Sequence, residues 1–574
     1  MKKQFKDRES GFYLKNNGTF VIEDYNLTKP FANFFPGIAG EYGVPIWAFY
    51  VNRGQCISSF GTKDKDHALL EFFPANKAWQ LTPNLGFRSF LKITDKNKHI
   101  FYEPFHNGYA SSCFQLKNMM LITSFDLTIK EENRSLGLET EINYFPIPNE
   151  RFAALGRIVR IKNRSRRQKV IQFLDGLPAI IPMGIGNRFL KDLNRTAEAW
   201  MKAQTVGDCA AFYKLDVDPS DRPQVIHIKE GNFCMSFTRP IIDASSIFGP
   251  RLNFDYPYNF IKNKKFVFPR NQVCESKTPC GMGLAEFSLR PDEERSFCSL
   301  FGSIASQNLL NQRLPEIKKA EFFMLKKAEN KEIILKLEED IDTKSSSCEF
   351  NYYCRQTYLD NIIRGGYPVI FDSVNDKKQV FYLYLRKHGD LERDYNKFYI
   401  QPTYFSQGNG NFRDIVQNRR SDVWFNPEVE ESNLITFFNL IQTDGYNPLI
   451  VKGLRFHLKN RGNFEKTCLE YFKEEDDAKK LLDFLDKPFT PGGVVYFIEK
   501  NNFTMKKSSK DFLNILMVNS LKEEDAEHAQ ENHHMHGGYW SDHWTYCLDL
   551  LEAYLEIYPE KIKDLLFNKR EFKF

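Results

Sequence analysis

The chain predicts a multidomain β + α protein: a large antiparallel β-sandwich, a helical linker, then a second region of mixed character. Three observations carry this. Residues 18 to about 306 hold short apolar-aromatic runs separated by Gly, Pro and Asn turns, with no long helical period between them. Glu316–Ile341 places Ile317, Phe323, Met324, Ala328, Ile334, Leu337 and Ile341 among many Lys and Glu, the pattern of a helix with one apolar side. Beyond Phe350, helical stretches alternate with long irregular segments. The expected divisions are 1–306, 307–349 and 350–574.

Within the first region the strand-like runs are Ile46–Val51, Gly86–Ile93, Met119–Leu127, Gly156–Ile161 and Val170–Leu174. Ser345–Ser347 breaks the linker pattern, and Phe350–Arg364 reads as a helix stopped by Gly365, Gly366 and Pro368. Val380–Leu385 is strand-like. Leu434–Gln442, Glu474–Asp486, Ser509–Ser520, Ser541–Tyr558 and Glu560–Phe567 read as helices, about six with that at 350–364.

With 574 residues, 42% of them hydrophobic and 27% charged, the chain can bury a large core. Its 79 basic and 74 acidic residues are spread along the whole length, which argues against a nucleic-acid partner. No apolar run approaches the roughly 18 residues needed to cross a bilayer, and the N-terminal segment is charged, so no membrane association and a cytoplasmic location are expected. The 11 cysteines form no Cys-x-x-Cys pair, Cys274 and Cys280 coming nearest, and are expected to be reduced thiols. His533, His534, His536 and His543 match no zinc spacing, so no metal and no cofactor are expected.

The segment from Gln407 to Asp422 packs five amides, two acids, three arginines and two glycines into sixteen residues. Planar amide, carboxylate and guanidinium groups suit crowded sugar hydroxyls, each of which both donates and accepts. A polar turn leading into a solvated helix explains the same composition. Gln407, Asn409 and Asn411 are the amides that precede its Arg413–Asp414 pair, which reads either as a surface ion pair or as a sugar contact.

Trp540, Asp542 and His543 lie at a loop-to-helix junction with Ser541. Ser541 or Asp542 suits an N-cap, and the rings with the acid and imidazole also suit a glucose platform. Arg53 and Gln55 suit either a reach from the sandwich into a site or, the favoured reading, a folding role. His388, Asp390, Glu392, Arg393 and Asp394 form a charged cluster in which Asp390 and Asp394 are free-standing acid candidates.

Asn33 to Gln55, Glu71 to Ala78 and Asn163 to Gln168 resemble the sandwich domain of inverting glycoside phosphorylases of the cellobiose phosphorylase type, glycoside hydrolase family ninety-four. Tyr353 to Pro368, Arg386 to Asn396, the 407–422 segment and Gly538 to Tyr546 resemble its branch acting on β-1,2-linked glucose, the 1,2-β-oligoglucan phosphorylases. The resemblance implies a β-sandwich, a helical linker and part of an (α/α)6 barrel. It also implies inverting phosphorolysis giving α-glucose 1-phosphate, with inorganic phosphate as co-substrate. Phosphate is itself the nucleophile, so the second carboxylate of inverting hydrolysis is not needed.

Phe412 to Asn418 resembles the family's Arg-Asp-x-x-Gln-Asp sugar grip, which carries Arg413, Asp414, Gln417 and Asn418 over as substrate-binding residues, Asn418 standing where others have Asp. The resemblance places the general acid and most phosphate ligands in a later stretch without counterpart here, so no catalytic residue is expected before 574. About six helices against the twelve of such a barrel agree with a partial catalytic region. The expected partners are a β-1,2-gluco-oligosaccharide and a second chain supplying the rest of the barrel, and the chain alone is expected to be inactive. The other expectation is a non-catalytic carbohydrate-binding protein.

Overall fold

The computed structural model describes residues 11–95, 98–106, 108, 112–220, 223–251, 253–372, 378–387, 398–442, 445, 448–528 and 541–568. Its first half is a sandwich of antiparallel sheets, as the short apolar-aromatic runs and their turns predict. The larger sheet has ten strands: Phe12–Leu14, Phe20–Glu23, Leu116–Ile122, Leu127–Asn133, Leu138–Pro146, Ala153–Asn163, Glu294–Ile304, Gly231–Met235, Ala210–Tyr213 and Ala203–Val206, in that spatial order. A second sheet has five, in the order Ile241–Asp243, Pro279–Leu289, Lys169–Leu177, Arg88–Asp95 and Lys98–Tyr102. A third pairs Ala32–Phe34, Trp47–Val51, Ile57–Gly61 and Ala68–Leu70.

Strand periodicity explains the packing. Along Leu127–Asn133 buried and half-buried residues alternate strictly, so one face meets the core. Ile129, Ile142 and Leu155 of the first sheet share that core with Ile93, Phe173 and Phe287 of the second. The sequence reads Met119–Leu127 as one strand. The structure instead turns at Thr123–Asp126, where the Thr123 hydroxyl donates to Asp126 Oδ1 at 2.6 Å and accepts from the Asp126 amide at 2.9 Å.

Glu131, only 1% exposed, lies inside this core, where its carboxylate accepts from the Tyr102 hydroxyl and from the Phe105 amide at 3.1 Å. Burial pushes its carboxyl up to about 7, against those bonds and one from Asn118. The folded chain therefore holds a proton that the unfolded chain, with a Glu pKa of about 4.3, gives up. That stability is fully present below the unfolded value and is lost as the pH rises through about 7. The unfolding temperature is expected to fall between about pH 5 and pH 8, and Glu131→Gln to flatten the fall. Indistinguishable pH profiles for the two proteins would contradict this.

The linker differs from its prediction. In place of one helix over 316–341 there are two, Gln307–Ile317 and Ala320–Glu338, followed by a 3-10 turn at Glu339–Ile341. Pro315 lacks an amide donor near the end of the first, and Lys319 is extended at φ −80°, ψ 140°. Cys348–Gly365 follows, capped by Ser347 Oγ accepting from the Phe350 amide at 3.2 Å and ended by Gly366 at φ 92°.

Past Gly366 the expected helices form at Ser432–Asn439, Glu475–Leu485, Ser509–Val518, Asp542–Ile557 and Ile562–Phe567. The count of about six falls short: Phe412–Arg419, Asp422–Phe425, Arg461–Tyr471 and Pro491–Lys500 are also helical. Two of these carry caps readable in the sequence. Asn460 Oδ1 accepts from the Asn463 amide and Thr490 Oγ1 from the Gly493 amide, both at 3.1 Å, with Pro491 in the first turn. Short antiparallel pairings, such as Tyr367–Asp372 with Lys378–Leu383, run among them.

The apolar face of Ser509–Val518 is packed. Phe512 sits against Phe464, Tyr471 and Phe472 and is fully buried. In Asp542–Ile557, Leu550 is buried and Leu548 is exposed. All eleven cysteines are free thiols. Among the described residues, no helix is long and apolar enough to cross a membrane.

Candidate functional site

The 407–422 segment is a strand edge that turns into a helix. Gln407 opens it and is 2% exposed; its Nε2 donates to the Leu454 carbonyl at 2.7 Å and its Oε1 accepts from the Leu454 amide at 3.1 Å. Both ends of that amide serve the backbone, so its part is to fix the loop. Gly408 follows because a Cβ there would lie 1.9 Å from the Tyr399 carbonyl oxygen. Gly410–Asn411 then pairs antiparallel with the strand Pro448–Val451.

The helix Phe412–Arg419 has two unlike faces. Phe412, Ile415, Val416 and Arg419 are buried at helical spacing, while Arg413 and Gln417 are exposed and Asp414 and Asn418 half-buried. Asp414 stands in the first turn, where the helix dipole favours a carboxylate. Asn411 Nδ2 donates to its Oδ2 at 2.8 Å, and Arg413 Nε lies 3.5 Å from its Oδ1. At that length and exposure the ion pair adds little stability, which leaves the groups available to a polar ligand. Asn418 Nδ2 donates back to the Asp414 carbonyl at 2.6 Å. Asn409 is half-buried, and no donor among the described residues reaches its buried Oδ1.

The second segment arrives on the helix Asp542–Ile557, which packs against Phe412–Arg419. His543, 5% exposed, stacks on Phe412 with ring centroids 5.3 Å apart and planes at 29°. Burial pushes its imidazole below the ordinary range; Asp542 opposes this, Arg413 adds to it, and the Pro448 carbonyl and Asp414 oppose it. The ring lies close enough to Arg413 and Asp414 to feel both charges. Asp542 lies in the first turn of its helix, and Ser541 precedes it with helical dihedrals and no side-chain cap bond. Arg420 ties the two helices, its Nη1 lying 2.9 Å from Asp549 Oδ2.

Sequence reasoning missed the network beneath the helix. Arg419 Nε donates to the Gly365 carbonyl at 2.5 Å, and its guanidinium stands 3.5 Å over the Tyr382 ring. Asp422 Oδ2 accepts from the Tyr382 hydroxyl at 2.7 Å and from Asn433 Nδ2 at 3.3 Å. Burial pushes that carboxyl up to about 7, against Tyr382, Arg419 and Asn433. The available signal was the Arg-x-x-Asp spacing across the helix end. Trp540, His388, Asp390, Glu392, Arg393, Asp394, His533, His534 and His536 lie outside the described residues.

No protein-family model and no curated protein matches the chain. Among solved structures, it is similar to a bacterial glucoamylase complexed with acarbose, at 10% identity and TM-score 0.36, over 95% of this chain and 69% of that one. A putative kojibiose phosphorylase from human microbiome aligns at 10% identity and TM-score 0.25, over 64% of this chain and 41% of that one. A polysaccharide lyase aligns at 9% identity and TM-score 0.27, over 46% and 33%. The chain thus spans under half the length of the phosphorylase and of the lyase.

Proposed function

We propose that Asn409, Asn411, Arg413, Asp414, Gln417, Asn418, Asp542 and His543 bind a gluco-oligosaccharide, with β-1,2-linked glucose as the preferred class. One observation carries the reading: two segments far apart in sequence meet on a shared apolar wall. There they bring amide, carboxylate and guanidinium groups together, with the buried imidazole of His543 beside them. Such a set matches hydroxyls that both donate and accept. The reaction this site serves is inverting phosphorolysis with inorganic phosphate as co-substrate. In this reading the helices beyond Cys348 are part of an (α/α)6 barrel and the sandwich is its companion domain.

Calorimetric titration of the 574-residue chain with sophorose and longer β-1,2-gluco-oligosaccharides is expected to give saturable heat. Arg413→Ala is expected to weaken binding about tenfold or more, the loss of one charge-assisted hydrogen bond. Absence of heat with every β-1,2-linked oligosaccharide would contradict the proposal. Adding inorganic phosphate to the same mixture is expected to release no glucose 1-phosphate from this chain alone, and such release would contradict the reading of it as a partial enzyme.

A further inference from the structure

A hollow of about 160 Å³ lies in the sandwich, outside the site described above. Ala78, Leu81, Thr82 and Leu85 recur at helical spacing along Ala75–Leu85 and turn one face of that helix to it. Phe73, Leu81 and Leu190 are half-buried and form its rim, while Leu70 and Ile181 are buried and close its floor. An apolar space of about 150 Å³ holds one benzene ring, so a single aryl or short branched alkyl group matches this one.

The hydroxyls that line the hollow are engaged within the protein. Ser58 Oγ donates to the Phe49 carbonyl at 3.2 Å, Thr82 Oγ1 to the Ala78 carbonyl at 2.5 Å and Thr278 Oγ1 to Glu198 Oε1 at 2.6 Å. Glu71, which follows the strand Ala68–Leu70, is the exception. Among the described residues its carboxyl has neither a hydrogen bond nor an ion pair, although it lines an apolar space. Burial raises that carboxyl above its ordinary range, and the charge of Lys191 opposes the rise. Lys191 acts from outside the hollow, without an ion-pair contact to Glu71.

Charge at this wall favours a cation. Among the described residues, no basic side chain lines the hollow. Glu71 also borders a neighbouring surface that carries Arg195, Arg251 and Lys277, and each of these already has a carboxylate: Glu198 at 3.7 Å, Asp255 at 2.9 Å and Asp243 at 2.9 Å. Those charges are matched, and Glu71 is the acid left over. A carboxyl held in apolar surroundings without a partner is costly to ionise. An ammonium beside it favours the ionised form and brings three N–H donors.

We propose that this hollow binds a small primary amine, its aryl or short branched alkyl group between Leu70, Leu81, Leu85 and Ile181 and its ammonium on the Glu71 carboxylate. The probe is benzylamine, titrated by calorimetry and saturation-transfer NMR, with benzyl alcohol as its uncharged match. The amine is expected to bind saturably, and the alcohol at least about tenfold more weakly. Glu71→Gln keeps the shape of the wall and removes its charge. It is expected to weaken the amine by a similar factor, while the affinity for the alcohol and the unfolding curve stay unchanged. Leu81→Trp, which fills the hollow, is expected to abolish binding of both. If that variant unfolds, the amine-to-alcohol ratio and Glu71→Gln decide. No binding of the amine to the unmodified chain, equal binding of amine and alcohol, or a Glu71→Gln variant that binds the amine normally would each overturn the proposal.

Discussion

Arg157→Leu is expected to destabilise the chain by about 3–5 kcal/mol, because it leaves a buried carboxylate without its counter-charge. Arg157 is fully buried, as is Asp175 to within 1%, and the two form an ion pair. Arg157 Nη2 also donates to Gln55 Oε1 at 2.6 Å, and its Nε to the Tyr144 hydroxyl at 3.3 Å. Ser89 Oγ donates to Asp175 Oδ1 at 2.5 Å and accepts from Gln55 Nε2 at 2.9 Å. Arg157 and Tyr144 belong to the ten-stranded sheet, Ser89 and Asp175 to the five-stranded one, and Gln55 to the turn before Ile57–Gly61. One network therefore ties all three sheets. Combining Arg157→Leu with Asp175→Leu removes both charges and is expected to recover much of the loss in chemical denaturation. A single variant within about 1 kcal/mol of the parent would show the pair to be dispensable.

Phe412→Ala is expected to cost about 3–5 kcal/mol and to weaken sugar binding with it. The ring is fully buried, meets Phe437 edge-on at 5.6 Å and supports His543. Its loss opens a cavity beneath the first helical turn, where Arg413 and Asp414 stand. Phe412→Leu fills more of that space and is expected to keep more of both properties. If the Ala variant, held at a temperature where it stays folded, bound sophorose as the parent does, the wall would be irrelevant to the site.

Local structure was legible in this sequence wherever a repeating pattern or a cap announced it. Short apolar-aromatic runs between turn residues marked the sandwich strands, and the break at Ser345–Ser347 and the stop at Gly365–Gly366 bracketed a helix on residue chemistry alone. Arg461–Tyr471 and Pro491–Lys500 were missed because glycines and aromatic or β-branched residues weaken their helical signal, although Asn460 and Thr490 marked where they begin. The function of a polar side chain was far less legible. In the 407–422 segment, Gln407 serves the Leu454 backbone, Arg419 the Gly365 carbonyl and Asp422 the Tyr382 hydroxyl. Composition cannot separate these from Arg413, Asp414 and Asn409, which face outward or keep an open acceptor, because the difference lies in which way the helix is rolled. The meeting of Phe412 with His543 had no local signal at all; it is a product of tertiary packing.

The central claim is that these two segments form a single sugar site. A double-mutant cycle tests it, with the parent, Arg413→Ala, Asp542→Ala and the double variant each titrated with sophorose. Each single substitution is expected to weaken binding about tenfold, and the double variant by clearly less than the product of the two, as for residues that grip one ligand together. Single variants that bind as tightly as the parent would contradict the claim.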